Sequence, residues 1–232
     1  MEGFLKRTAA GGVIALMIVG AAATVANTYR AKSAPDEDQI AETIRLSAPY
    51  EDLRAGFTVK IETESGHGSG FHIGDGFIVT AAHVLKSAKK ITIKSDDGDT
   101  RDGEILWVNE TRDIGLVRVE NPYRLKTANL SCRTPAANES ISAPGNPMGL
   151  EFVTSHGHVA GTARQAGFWK SVFVTDMTVV PGQSGGPVVA ANGDVVGVTV
   201  GVALFPLGFS ASLTGFGYAV PALEVCNLLA RK

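Results

Sequence analysis

Short apolar segments separated by turn signals occupy most of the chain, a pattern typical of proteins built from β-strands. Six predicted strands precede residue 121, at Phe57–Ile61, Gly68–Ile73, Phe77–Thr80, Ile91–Lys94, Glu104–Val108 and Ile114–Val119. After residue 140, predicted strands lie around Ile141 and at Val153–Ser155, His158–Ala160, Val172–Thr175, Val188–Ala190, Val195–Val202 and Gly215–Val220. Two groups of about six strands predict an all-β protein with two six-stranded antiparallel β-barrels, at about 55–120 and about 141–220.

The segments between and after the two strand groups have a different pattern. Residues 121–140 show little periodicity and are predicted to form a connector. Pro221 is followed by apolar residues at helical spacing, which predicts a short C-terminal helix over 221–230. The barrels, connector and helix together make up a predicted domain over residues 53–232.

The N-terminal part of the chain differs in character from this domain. Residues 8–26 follow two basic residues, carry no charge and number about 19, which is just enough to span a bilayer. Small residues near the end of this stretch equally fit a signal peptide cleaved before Asn27. Residues 1–27 are therefore predicted to be a signal peptide or a membrane anchor, and 28–52 a polar tether. Either alternative exports the rest of the chain to a periplasmic or other extracytoplasmic location.

Charge and composition exclude some classes of partner. The 232-residue chain has a formal net charge of −2 and no long run of one sign. Nothing in it therefore favours binding to nucleic acid or to an anionic membrane surface. The chain is long enough to bury a core unaided, so we predict a soluble domain with an N-terminal attachment.

One glycine-rich turn carries a serine between two apolar runs, Pro181-Gly182-Gln183-Ser184-Gly185-Gly186-Pro187. Glycines on both sides of a hydroxyl let backbone N–H groups approach a small anionic centre closely. This geometry suits a serine that attacks a carbonyl while adjacent amides bind the resulting oxyanion. A tight Gly/Pro hairpin without chemistry fits the same residues, so the interpretation depends on a histidine and an aspartate elsewhere in the chain.

His83 and Asp113 are the candidates for those two residues. His83 ends an apolar strand at a turn, where a side chain can face a cleft and act as a general base. Asp113 directly precedes a buried strand, where a carboxylate is costly unless it is hydrogen-bonded. Orienting an imidazole would justify that cost. A partly buried structural histidine and a strand-end cap are the alternatives.

The other histidines and the two cysteines leave alternatives open. His156 and His158 alternate on a strand, but no cysteine or carboxylate cluster accompanies them at ligand spacing. We therefore predict no metal site and no cofactor. Cys132 and Cys226 form either one disulfide of an exported domain or two buried free thiols.

Five blocks of sequence, in order, resemble the trypsin-like serine proteases of the HtrA/DegP type. They are Gly68-Ser69-Gly70-Phe71 with Ile78–Val84; Arg112–Val117; Pro144–Leu150 with Val153-Thr154-Ser155 and Gly157; Thr175-Asp176 with Pro181–Pro187; and Gly215–Pro221. Together they cover most of residues 55–230. The resemblance implies the trypsin-like fold and serine endopeptidase activity on polypeptides.

The resemblance also implies a role for each matched residue. His83 would be the general base, Asp113 would orient it, and Ser184 would attack the scissile carbonyl. The backbone N–H groups of Gly182 and Ser184 would bind the oxyanion. The predicted substrate-binding residues are Thr199, Val200, Gly201 and Val179. The first three would pair with the substrate backbone, and the valines indicate a pocket for a small or medium aliphatic residue before the cut. The alternative from another class is a catalytically silent binding or chaperone module.

Three further expectations follow from the family. HtrA-like proteins usually append PDZ domains, and because the sequence stops shortly after the predicted helix, none is expected here. Relatives are often trimers, so a homo-oligomer is expected. Residues 203–214 form an unusually apolar predicted loop. We expect this loop to contact substrate, a neighbouring subunit or the membrane, or simply to pack on the barrel.

Overall fold

Twelve strands and two short α-helices form most of the regular structure of the computed structural model, which describes residues 56–207 and 210–230. The strands divide into two groups of six, and each group closes into an antiparallel barrel. The predicted all-β fold with two six-stranded barrels and a short C-terminal helix is therefore confirmed.

The first barrel is built largely from strands whose buried residues are branched aliphatics. Its strands are β1 (Thr58–Thr63), β2 (Gly66–His72), β3 (Phe77–Thr80), β4 (Ile91–Ser95), β5 (Thr100–Asn109) and β6 (Ile114–Arg118). They pair in the order β1-β2-β3-β6-β5-β4, and β4 pairs with β1 to close the barrel. One helical turn, α1 (Ala82–Leu85), follows β3 and carries His83.

The second barrel also has six strands, and three of them are longer than any strand of the first barrel. Its strands are β7 (Ser140–Gly145), β8 (Val153–Ala166), β9 (Trp169–Thr175), β10 (Pro187–Ala190), β11 (Val195–Leu207) and β12 (Ser210–Pro221). They pair in the order β10-β11-β12-β9-β8-β7, and β7 pairs with β10. A 3₁₀ turn at Pro147–Gly149 follows β7, and α2 (Ala222–Leu229) follows β12.

A continuous apolar cluster joins the two barrels. It contains Phe71 and Val79 from the first barrel together with Val189 and Val198 from the second, all buried. Full burial of such a side chain stabilises a fold by about 1.5–3 kcal/mol. The shared core therefore holds the barrels against each other, so that loops from both can contribute to one site.

Two segments of the second barrel differ from the predicted pattern. The strands predicted at Val153–Ser155 and His158–Ala160 belong to the single strand β8, whose pairing with β9 shifts register several times. Residues 203–207 and 210–214, within the predicted loop, instead extend β11 and β12 as a hairpin in which Leu204 pairs with Leu213. Pairing satisfies the peptide groups that a loop would leave to water, although the apolar side chains of this hairpin stay exposed.

The predictions for the N-terminal part of the chain lie outside the described residues. They are the signal peptide or anchor at 1–27 and the polar tether at 28–52. Within the described ranges, no helix combines the length and the apolar character that crossing a bilayer requires.

A disulfide joins the connector to the C-terminal helix. Cys132 and Cys226 are bonded, with their Cα atoms 5.8 Å apart and a sequence separation of 94 residues. Of the two alternatives that the sequence left open, the bridge is therefore the one observed. The helix has a second attachment, because Glu224 of α2 forms an ion pair with Arg112, the residue before Asp113.

Replacing Cys132 and Cys226 together by serine is expected to lower the free energy of unfolding by about 2–5 kcal/mol. A crosslink between residues this far apart in sequence strongly restricts the unfolded chain. Urea unfolding of the native protein and the double variant, each with and without reductant, measures the difference. Reductant should destabilise the native protein to the level of the variant and leave the variant unchanged. Equal stability of all four samples would contradict the bridge.

Candidate active site

His83 and Asp113 form a hydrogen-bonded pair between α1 and the turn before β6. Nδ1 of His83 lies 2.9 Å from Oδ2 and 3.0 Å from Oδ1 of Asp113. The backbone N–H of His83 also donates to Oδ1, at 3.0 Å. The side chain of His83 is 42% exposed, whereas that of Asp113 is 4% exposed. An imidazole that donates from Nδ1 keeps Nε2 as the nitrogen that can accept a proton.

A tryptophan from the other barrel completes the hydrogen bonding of Asp113. The indole Nε1–H of Trp169 donates to Oδ2 of Asp113 at 2.8 Å. A buried ionised carboxylate needs such donors. Asp113 has a φ of +54°, in the left-handed region that aspartate adopts more readily than most residues. Sequence reasoning missed Trp169, because only the packing of the two barrels brings the start of β9 to the turn before β6.

The turn that carries Ser184 lies directly against β2 of the first barrel. The backbone N–H of Ser69 donates to the carbonyl of Ser184 at 2.8 Å. Gly182 and Gly185 have φ values of +98° and +86°. A Cβ at Gly182 would collide with the Asn146 carbonyl oxygen, and one at Gly185 with the Ser69 carbonyl oxygen. Both the backbone conformation and the close contact therefore require glycine at these two positions.

Two amides in this turn have no acceptor. Among the residues that the structure describes, neither the backbone N–H of Gly182 nor that of Ser184 donates a hydrogen bond. Most buried N–H groups in proteins are paired. Two free ones separated by a single residue can bind an anionic oxygen.

The hydroxyl of Ser184 is not hydrogen-bonded to the histidine in the described structure. Within the described part of the chain, Oγ of Ser184 forms no hydrogen bond with His83 or with any other residue. The structure thus joins His83 to Asp113 directly. It places Ser184 next to the same barrel through its backbone contact with β2.

The buried side chain of Gln183 stabilises the serine turn through hydrogen bonds. Its Oε1 accepts a hydrogen bond from the backbone N–H of Val180 at 2.9 Å, and its Nε2 donates to Oγ of Ser155 at 3.0 Å. The residue is 2% exposed. A glutamine between Gly182 and Ser184 therefore fixes the turn through its side chain as well as its backbone.

The predicted substrate-binding residues of β11 lie where this strand separates from β10. The backbone N–H and C=O of Thr199 are both hydrogen-bonded to the serine turn, at 2.9 Å and 2.7 Å. The side chain of Val200 is buried in the core shared by the barrels. β10 pairs with β11 only as far as Val198. Beyond Thr199, one edge of β11 pairs with β12. The other edge pairs with no strand among the described residues. The open edge therefore begins at Val200 and Gly201.

Trp169 links this open edge to Asp113. A Cβ built on Gly201 would lie 2.6 Å from Cη2 of Trp169, so the indole ring lies against the Gly201 backbone. The ring also packs beside Tyr218, with centroids 5.6 Å apart, and beside Phe168, at 4.2 Å. One aromatic side chain thus contacts both the acid of the candidate triad and the strand predicted to bind substrate.

Val179 is buried and packs closely against β12. A Cβ built on Gly217 would lie 2.6 Å from Cγ2 of Val179 and 2.7 Å from Oγ1 of Thr175. The hydroxyl of Thr175 is buried and has no partner among the described residues.

Ion pairs attach the segment after β7 to the first barrel. The carboxylate of Glu151 contacts Nζ of Lys94 at 2.7 Å and Nζ of Lys60 at 3.0 Å. Hydrogen bonds from Lys94 and from Lys60 hold the pKa of Glu151 below its usual value. The same segment contains Met148, whose backbone N–H donates to the carbonyl of Pro181 at 2.7 Å. The ion pairs therefore help to position the segment after β7, which contacts the serine turn through Met148.

Comparison with known proteins assigns the family. The profile of the trypsin-like peptidase domain matches residues 68–198, which is more than half of the chain and includes His83, Asp113 and Ser184. The chain belongs to the trypsin-like peptidase family. The HtrA/Do-like resemblance of this peptidase is likewise confirmed by curated relatives of that type.

Three relatives show the extent of the similarity. HhoA of Synechocystis sp. is 33% identical over 179 residues, covering 72% of this chain and 43% of HhoA. The serine protease Do-like HtrA of Lactobacillus helveticus is 26% identical over 91% of this chain and 53% of its own length. The periplasmic pH-dependent serine endoprotease DegQ of Escherichia coli is 30% identical over 68% of this chain and 35% of its own length. The chain thus spans about half, or less, of the length of these relatives.

A solved structure supports the fold independently. Rv3671c of M. tuberculosis, crystallised as an inactive serine-to-alanine mutant, superposes with a TM-score of 0.65 at 20% sequence identity. The match covers 85% of this chain and 94% of that chain. At this level of identity the likeness shows the fold alone.

Proposed function

We propose that this peptidase is a serine endopeptidase that hydrolyses peptide bonds of proteins through His83, Asp113 and Ser184. The observation that carries the proposal is the His83–Asp113 pair, with Nδ1 2.9 Å from Oδ2. This pair accompanies a glycine-flanked serine and two amides without an acceptor. These are the parts that acyl transfer requires: a base, its orienting acid, a nucleophile and oxyanion donors.

Each residue has a step in the proposed reaction. Oγ of Ser184 attacks the scissile carbonyl carbon while Nε2 of His83 takes the hydroxyl proton. The carbonyl oxygen becomes an oxyanion that accepts hydrogen bonds from the N–H groups of Gly182 and Ser184. His83 then gives the proton to the leaving amine, and an acyl-enzyme remains. Water attacks this ester by the same route, with His83 again as base, and releases the carboxylic acid. Asp113 stays ionised and stabilises the imidazolium.

The substrate is proposed to bind as an added strand. An extended peptide that pairs with the open edge of β11 at Val200 and Gly201 would enter by β-augmentation. Its carbonyl would then approach the serine turn, to which the neighbouring Thr199 is already hydrogen-bonded. The apolar side chain of Val179, close to the serine turn in sequence, is the basis for proposing a small or medium aliphatic residue before the cut.

An extracytoplasmic location is part of the same proposal. A disulfide between Cys132 and Cys226 is stable in oxidising compartments and rare in the cytosol. The uncharged residues 8–26 fit an export signal or an anchor. A periplasmic location is also stated in the name of the relative DegQ. A homo-oligomer remains an expectation from the family resemblance.

One observation is compatible with a second candidate, a catalytically silent binding or chaperone module of the same fold. It is the absence of a hydrogen bond between Ser184 and His83 in the described structure. Catalytic hydrogen bonds are often long in unliganded enzymes and tighten in the substrate complex, so this observation fits both candidates. The two differ in the reactivity of the Ser184 hydroxyl.

Covalent labelling with a fluorophosphonate separates the two candidates. We expect the native protein to react at Ser184, because an activated Oγ displaces fluoride from phosphorus, and mass spectrometry of the digested product should locate the adduct. Ser184→Ala should abolish labelling. Ser65→Ala, which removes an exposed serine hydroxyl in the turn between β1 and β2, should leave it unchanged. Native protein that stays unlabelled while purified DegQ reacts in the same buffer would refute the endopeptidase proposal.

A further inference from the structure

Ser69 lies at the centre of a hydrogen-bond network between the two barrels. It belongs to β2 of the first barrel and is fully buried. Its hydroxyl donates to the carbonyl of Gly182 at 2.7 Å. Its backbone N–H donates to the carbonyl of Ser184 at 2.8 Å. One residue of the first barrel thus holds the two residues of the second barrel whose amides have no acceptor.

The orientation of the Ser69 hydroxyl is dictated by its other neighbours. Its oxygen accepts hydrogen bonds from the backbone N–H of Asn146 at 3.0 Å and from Nδ2 of Asn146 at 3.1 Å. A hydroxyl has two acceptor lone pairs and one proton. With both lone pairs occupied, its proton must point at the Gly182 carbonyl.

The peptide planes around Gly182 and Ser184 are each held on both sides. The carbonyl that precedes Gly182 accepts the N–H of Met148 at 2.7 Å, and the carbonyl that precedes Ser184 accepts the N–H of Gly186 at 3.0 Å. Ser69 holds the carbonyl that follows each residue. Because a peptide unit is planar and rigid, fixing both neighbouring units leaves each residue little rotation. The N–H groups of Gly182 and Ser184 therefore keep one direction.

We propose that Ser69 is a positioning residue that presets the two amides of the oxyanion site from the opposite barrel. The role rests on the proposed function, since it concerns the same site. It explains why a serine hydroxyl is fully buried between glycines at this contact. A preorganised pair of donors stabilises a developing oxyanion without rearrangement during the reaction.

A matched pair of variants tests the hydroxyl alone. Ser69→Thr keeps the hydroxyl and Ser69→Val has the same shape without it, so any strain from the added methyl group is common to both. We expect Ser69→Val to have a kcat about 10–100-fold below that of Ser69→Thr, with KM changed little. This range ends where the 10²–10³-fold loss caused by removing a complete oxyanion donor begins. The affinity for a peptide boronate, which places an anionic oxygen in the site, should fall in parallel with kcat.

A control isolates the site from general stability. Ser95→Ala removes another buried serine hydroxyl of the first barrel, one that donates to Asp97 at 2.7 Å. It is expected to lower the free energy of unfolding without changing kcat or boronate affinity. Thermal unfolding of all variants shows which of them are folded at the assay temperature.

The outcomes separate this role from the proposed function. Equal kcat and equal boronate affinity for Ser69→Thr and Ser69→Val, in a native protein that is active, would overturn the role of Ser69 alone. If Ser69→Val does not fold, Ser69→Ala replaces it in the comparison with the native protein. Native protein that neither cleaves peptides nor reacts with fluorophosphonate would overturn the proposed function and this role together.

Discussion

An Asp113→Asn variant is expected to fold normally and to have a kcat about 10⁴-fold below that of the native protein. In the native site the described hydrogen-bond partners of the carboxylate are all donors: Nδ1 and the backbone N–H of His83, and Nε1 of Trp169. An asparagine amide brings two hydrogens of its own into this ring of donors. If its NH₂ group faces His83, Nδ1 must become the acceptor and Nε2 carries the hydrogen. His83 then has no free nitrogen to take the Ser184 proton.

The fold should survive this substitution. Asparagine adopts the left-handed backbone region readily, and Asp113 has a φ of +54°. Asp75→Asn is the matched control, since Asp75 is exposed and has a φ of +51°. It should leave kcat and the unfolding midpoint unchanged. Steady-state kinetics on a peptide substrate measure the effect, and near-native turnover by Asp113→Asn would show that the acid is misassigned.

A Gly182→Ala variant is expected to reduce kcat by about 10²–10³-fold, the effect of losing one oxyanion donor. The added Cβ would collide with the carbonyl oxygen of Asn146 and lie 2.6 Å from Nε2 of His67. The φ of +98° is also strained for alanine. Relieving the collision requires the peptide before residue 182 to turn, which moves its N–H away from the oxyanion position.

Gly98→Ala separates backbone strain from loss of the donor. Gly98 has a φ of +89° and nothing within 4 Å of a built Cβ. It should therefore lower stability through strain alone and leave kcat unchanged. Comparison of kcat, boronate affinity and unfolding midpoint for the two variants gives the specific effect. A Gly182→Ala protein that binds the boronate like the native protein would mean that this amide does not contact the oxyanion.

The local motifs of the chain could be predicted because each constrains its own backbone. Gly182 and Gly185 indicate a left-handed turn around a hydroxyl, and the structure has positive φ at both positions. The positions of most strands along the chain follow from alternation and turn signals in the same way. The acid in front of β6 was a candidate because an isolated carboxylate there would be unstable, and the structure pairs it with His83.

The remaining features depend on contacts between distant segments. Trp169 reaches Asp113 across 56 residues of sequence, and Ser69 reaches Gly182 across 113. The hydrophobic pattern of the sequence does not predict such a contact, because the contact arises only when the two barrels pack together. The long hairpin of β11 and β12 was missed for a different reason. Leu204, Phe205 and Leu207 stand in a run without polar residues, so the segment lacks the alternation of apolar and polar residues that marks a strand.

The indole bonded to Asp113 has a spectroscopic consequence. The chain has two tryptophans, Trp107 and Trp169, and only the second donates a hydrogen bond to a carboxylate among the described residues. Indole emission responds to hydrogen bonding and to nearby charge. Replacing Trp107 by phenylalanine would leave Trp169, in contact with Asp113 and Gly201, as the single indole. The proposed binding of a peptide at β11, and changes around the acid, could then be followed in real time by intrinsic tryptophan fluorescence, without an attached dye.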